Sequence, residues 1–111
     1  MRTYVLDQID HNDMPRVRAW IEERAELSGI EDLYWVNFQP DMLTATQFDH
    51  KGCQPHCFAI ELGEDFVKFE LLIRSRMNHR CRLCSTYASE QQRRFILEFA
   101  DRLVSDLSLL T

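Results

Sequence analysis

Every cysteine in the chain, and three of its four histidines, fall between His50 and Cys84. They form two clusters, His50-Lys-Gly-Cys53-Gln-Pro-His56-Cys57 and His79-Arg-Cys81-Arg-Leu-Cys84. Closely spaced cysteines repeated after an interval are how a small protein assembles a tetrahedral thiolate site for zinc. No other feature constrains the fold as much, because such a site obliges two segments distant in sequence to meet.

A thiolate site requires reduced sulfur. The N-terminal stretch Thr3-Tyr-Val-Leu-Asp7 is broken by its aspartate and lacks the apolar core of a signal peptide. No apolar run approaches the roughly 20 residues of a spanning helix. The chain is therefore expected to be cytoplasmic and off the membrane, where a structural disulfide is disfavoured. Its 111 residues suit one domain, 1–111, large enough to bury a core without covalent staples.

The net charge of −5 is unevenly spread. Residues 1–70 carry a net of −8, whereas residues 71–94 hold six arginines against Glu90 alone. Arg74, Arg76, Arg80 and Arg82 alternate in sequence, so in an extended segment they would share one face. Such a face is a candidate anion site or an outer surface balancing Glu22, Glu23 and Glu26. Overall acidity, with no aromatics interleaved among these arginines, speaks against nucleic acid as a partner.

The elements read as β-α-β-(β)-β-β-α. Thr3–Ile9 is rich in strand formers. Asn12-Asp13-Met14-Pro15 starts a helix in which Val17, Trp20, Ile21 and Leu27 or Ser28 follow at helical spacing and which stops at Gly29. Leu33–Phe38 is a strand, and residues 42–49 are either an edge strand or a loop. Residues 57–62 and 65–73 form a hairpin in which Gly63-Glu64 suits a two-residue type II′ turn, pairing Ile60 with Val67 and Phe58 with Phe69. Ser89-Glu-Gln-Gln92 is a capping box opening the last helix, whose stripe runs Ile96, Phe99, Leu103, Leu107, Leu110. Trp20 and Trp35 read as core. The expected fold is α+β, a two-layer sandwich of a mostly antiparallel sheet of 4–5 strands with two helices on one face. Phe95, Ile96, Leu97, Phe99 and Val104 spread apolar surface widely enough to suggest a homodimer through that helix.

This register bears on the sulfurs. Cys57 shares the parity of Ala59 and points away from the apolar face, as a ligand would. Yet with residues 57 and 70 opposite each other, the second strand runs about 20 Å on toward Arg76. A bend after Ile73 is then needed to return Cys81 to Cys57. The expected ligand set is Cys53, Cys57, Cys81 and Cys84 around a structural zinc, with His56 and His79 as substitutes and His50 after them. A closed four-sulfur site leaves no open position, which implies a binding or regulatory role. Two further readings stay open: a redox protein or small enzyme using Cys81 and Cys84, whose flanking Arg80 and Arg82 favour the thiolate, and a metal-free protein-interaction module. No glycine-rich phosphate loop, nucleophile elbow or His-Glu-x-x-His motif is present.

Overall fold

The computed structural model describes all 111 residues. The strands are β1 (Thr3–Leu6), β2 (Glu26–Leu27), β3 (Leu33–Asn37), β4 (His56–Leu62), β5 (Val67–Glu70), β6 (Leu72–Ser75) and β7 (Thr86–Tyr87). The helices are α1 (Met14–Glu22), α2 (Ala45–Asp49) and α3 (Glu90–Leu107), with 3-10 turns at His11–Asp13, Pro40–Met42 and Lys51–Cys53. All strand pairs are antiparallel, in the order β1-β5-β4-β3-β2, with β6 joined to the far end of β4 and β7 to β6. The fold is thus the expected α+β sandwich, with two more short strands than the sequence suggested.

Alternation on the central strands builds the core. Tyr34, Val36, Phe58, Ile60, Leu62, Val67 and Phe69 are buried together with Val17, Trp20 and Ile21 of α1 and Ile96, Ala100 and Leu103 of α3. Aromatic rings lock the layers, Trp20 on Phe99 at 5.2 Å and Phe38 on Phe95 at 5.4 Å between centroids. Each such side chain, fully buried, contributes about 1.5–3 kcal/mol. The wide apolar spread of α3 is used here, since Phe95, Phe99 and Val104 pack against the chain's own core.

Several local readings are corrected. Helix α1 ends at Glu22, and Gly29, with φ of +87°, serves the β2–β3 turn instead of stopping the helix. Within residues 42–49, only Leu43 and Thr44 are irregular; Thr44 and Gln47 form a capping box that opens α2 over Ala45–Asp49, where a strand or loop was expected. The stripe on α3 does not reach Leu110. Ser108 turns left-handed, the Leu109 N–H bonds the Val104 carbonyl at 3.0 Å, and Leu109 is buried in its place. Trp35 lies outside the core on the opposite face of the sheet, stacked on His79 at 6.1 Å.

The hairpin departs most usefully. Its turn holds four residues, with the Gly63 N–H donating to the Phe66 carbonyl at 2.9 Å and the Phe66 ring lying where a Gly63 Cβ would project. Ile60 consequently faces Phe69 and Leu62 faces Val67, a slip of two that preserves the apolar face. A second slip of two occurs at Leu71, between β5 and β6, so Cys57 faces Arg74 and His56 faces Ser75. Together the slips shorten the overrun by four residues, about 13 Å. The chain therefore leaves the sheet at Ser75, already beside the segment that precedes β4.

Candidate metal centre

Four donors converge there: His50, Cys53, Cys81 and Cys84, with ligand atoms all within 4.8 Å of one another. The Cys81 and Cys84 sulfurs lie 3.6 and 3.5 Å from Nδ1 of His50. A tetrahedron around zinc with ordinary bond lengths has nitrogen–sulfur edges of about 3.5 Å and sulfur–sulfur edges of about 3.8 Å. The donor set fits a metal of that size and softness.

Both arms use the same local device. After α2, His50-Lys-Gly-Cys53 closes a single 3-10 turn, with the Cys53 N–H on the His50 carbonyl at 2.9 Å. In the other arm the Cys84 N–H reaches the Cys81 carbonyl at 3.2 Å. Each turn aims its first and last side chains inward and leaves the two between them outside. Cys53 and Cys84 are buried, while His50 and Cys81 form the half-exposed rim.

Polar contacts fasten the arms together. The buried Ser75 hydroxyl donates to the Cys53 carbonyl and accepts from the N–H groups of Met77 at 3.2 Å and Asn78 at 2.8 Å. The Asn78 carbonyl then holds the Cys81 N–H at 3.1 Å. On the helical side, Gln47 and Gln92 occupy equivalent positions in the capping boxes of α2 and α3, and both are buried. The Gln92 amide donates to the Gln47 carbonyl oxygen at 2.8 Å and to the Met42 carbonyl at 3.1 Å. The helix leading into the first arm is thereby tied to the one leaving the second.

The thiols are unequal. Cys81 is drawn down to about 7, first by the backbone N–H of Cys84 and then by contacts with His50, Cys84 and Cys53. Arg80 and Arg82, which the sequence reading credited, are not the cause. Cys84 is pushed up to about 12 by burial and by the neighbouring Cys81 and Cys53 sulfurs. A bound cation would supply the positive charge that favours the thiolate at the buried Cys84.

Of the expected ligands, the structure brings Cys53, Cys81 and Cys84 together and leaves Cys57 outside the group. Cys57 does point away from the apolar face, but that direction takes it toward Arg74, Arg76, Glu26 and Glu70. It is fully buried as a neutral thiol, held up at about 12 by desolvation. His79 stacks on Trp35 and is exposed. His56 is buried on β4 with neither ring nitrogen hydrogen-bonded, and desolvation, then proximity to His50, lowers its pKa. Neither histidine belongs to the donor group. The place assigned to Cys57 is taken by His50. The sequence did carry the signal: His50-x2-Cys53 has the same spacing as Cys81-x2-Cys84, whereas Cys53-x3-Cys57 does not.

The arginines part company as well. Arg74 pairs with Glu70 at 3.3 Å, and Arg76 pairs with Glu26 at 2.7 Å and reaches Asn37 at 3.3 Å. Arg80 and Arg82 stand exposed in the loop, because the strand ends at Ser75 before it can carry four arginines on one face. No helix is long and apolar enough to cross a membrane.

Fold and site together define a small α+β domain with a one-histidine, three-cysteine donor group able to hold a metal ion. No family model matches the chain, and neither curated proteins nor solved structures give a match.

Proposed function

We propose that the chain is a small zinc-binding domain, with one zinc held by His50 Nδ1 and the sulfurs of Cys53, Cys81 and Cys84, and a binding or regulatory role. The observation that carries this reading is the nitrogen–sulfur spacing of 3.5–3.6 Å in a group contributed by two matching turns. Four protein donors complete the tetrahedron, so the zinc is structural and has no position for a substrate or reactive water. It clamps the turn before β4 to the loop between β6 and β7. Cysteine sulfur favours zinc over the hard divalent cations.

Elemental analysis of protein purified without added metal tests this. One zinc per chain is expected, and less than about a tenth of a zinc refutes it. Cys81→Ser should abolish stoichiometric binding and Cys57→Ser should leave it intact, which separates this ligand set from the four-cysteine set.

A further inference from the structure

Three cations and three large apolar side chains lie within four residues of a donor in sequence, and none of the cations meets a carboxylate. Lys51 lies inside the first turn and Arg82 and Leu83 inside the second, while Arg80, Met77 and Phe48 flank them. Met77 is 69 % exposed, Leu83 64 % and Phe48 43 %. Arg80 and Arg82 pair with no carboxylate, and the Lys51 ammonium sits over the Phe48 ring at 3.2 Å. From Arg74 to Ser89 there is no acidic residue, in a chain with eighteen; Asp49 is the one carboxylate beside the ligands in sequence. Single exposed apolar residues are ordinary. Three within four residues of the donors in sequence, interspersed with cations that meet no carboxylate, are not accounted for by the metal, since none of the three is a donor.

We infer that this zinc-bearing end docks an acidic, apolar-rich peptide segment of another protein, its carboxylates meeting Lys51, Arg80 and Arg82 and its apolar side chains packing on Leu83, Met77 and Phe48. The inference rests on the zinc reading, because the loop carrying four of these six residues is held in place by Cys81 and Cys84. A bound metal orders that loop beforehand, which lowers the entropic cost of docking. Charge decides against a nucleic acid: the basic end is short, the rest of the chain is strongly acidic, and a long polyanion would be repelled beyond it. Of the aromatic rings nearby, Trp35 is covered by His79, and Phe48 carries Lys51 over one face and leaves the rest of its ring open, so successive bases find no stacking platform. Exposed leucine and methionine instead suit the varied side chains of a peptide.

The test uses the full zinc-loaded chain and fluorescence anisotropy with three labelled probes: a peptide alternating glutamate with leucine and phenylalanine, its counterpart with lysine for glutamate, and an oligouridylate. The acidic peptide should bind, weaken with added salt, and lose at least about tenfold in affinity with the R80E/R82E double variant. Leu83→Ser, which alters no charge, should weaken it by roughly threefold or more through lost apolar contact. Zinc per chain is measured for every variant. One zinc per chain with no preference for the acidic over the basic peptide overturns the docking surface and leaves the zinc site standing. Acidic-peptide binding sensitive to these substitutions in a chain that holds no zinc overturns the zinc site alone. Equal or tighter binding of the oligouridylate, or a dimer in sedimentation abolished by the same substitutions, makes the occupant a nucleic acid or a second copy and refutes the proposal.

Discussion

Removing the Ser75 hydroxyl is the most incisive perturbation of the centre, because that oxygen touches no ligand atom yet joins both arms. Ser75→Ala deletes one donor to the Cys53 carbonyl and one acceptor for the Met77 and Asn78 N–H groups. The Cys53 carbonyl belongs to a residue that is 9 % exposed and is left without a partner, which costs about 1–3 kcal/mol. Met77 and Asn78 are exposed, so water reaches their N–H groups and the added loss is about half a kcal/mol or less for each. The sum is about 2 kcal/mol, a large fraction of the 5–15 kcal/mol typical of a domain. Urea denaturation with zinc in excess should show this as a lower midpoint at unchanged slope. Zinc affinity, measured by competition with a chromophoric chelator, should fall roughly tenfold or more, as it does when residues supporting metal ligands are removed. A loss of stability under about 0.5 kcal/mol together with unchanged zinc affinity would refute the view that Ser75 organises the site.

Removing the metal with a strong chelator should lower the melting temperature reversibly while far-UV dichroism stays largely native, since the nineteen-residue core does not include the ligands. Collapse to a random coil would show that the fold depends on the metal. The buried Cys57 thiol, raised to about 12, stays protonated in the folded chain while its unfolded counterpart ionises near 9, so the native state binds the extra proton between these values. Its contribution to stability is therefore full below pH 9 and lost as pH rises toward 12. Urea midpoints of wild type should fall more steeply between pH 8.5 and about 10 than those of Cys57→Ala; parallel profiles would contradict this. Ser108, left-handed at φ of 52°, should tolerate glycine with a gain of up to about 1 kcal/mol, and a clear loss in thermal denaturation would count against that conformation.

Periodicity and capping made much of this fold legible in the sequence. The Ser89–Gln92 capping box, the stripe through Ile96 and Leu103, and the parity of Phe58, Ile60 and Phe69 are local patterns that survive any change of register by two residues. The cysteines were legible as a centre for a related reason: spacing alone shows that Cys81 and Cys84 can share a turn. What the sequence left undecided was the pairing of strands across a distance. A four-residue turn in place of two, and a slip at Leu71, both keep the apolar face intact, so hydrophobic pattern cannot distinguish them from the tighter register. Yet those two slips bring the strand end beside Cys53.

Choice of ligand followed the same division. The amino-acid sequence determined that two short turns rich in sulfur and imidazole would be built, and in a like-for-like reading of their spacing it contained His50-x2-Cys53 as the partner of Cys81-x2-Cys84. Only tertiary structure decided that Cys57, whose direction was inferred correctly, faces arginines and glutamates on the far side of the sheet while His50 faces the other sulfurs. The physical reason is that side-chain direction is set locally by backbone geometry, whereas convergence depends on where two strands stop, and nothing local fixes that.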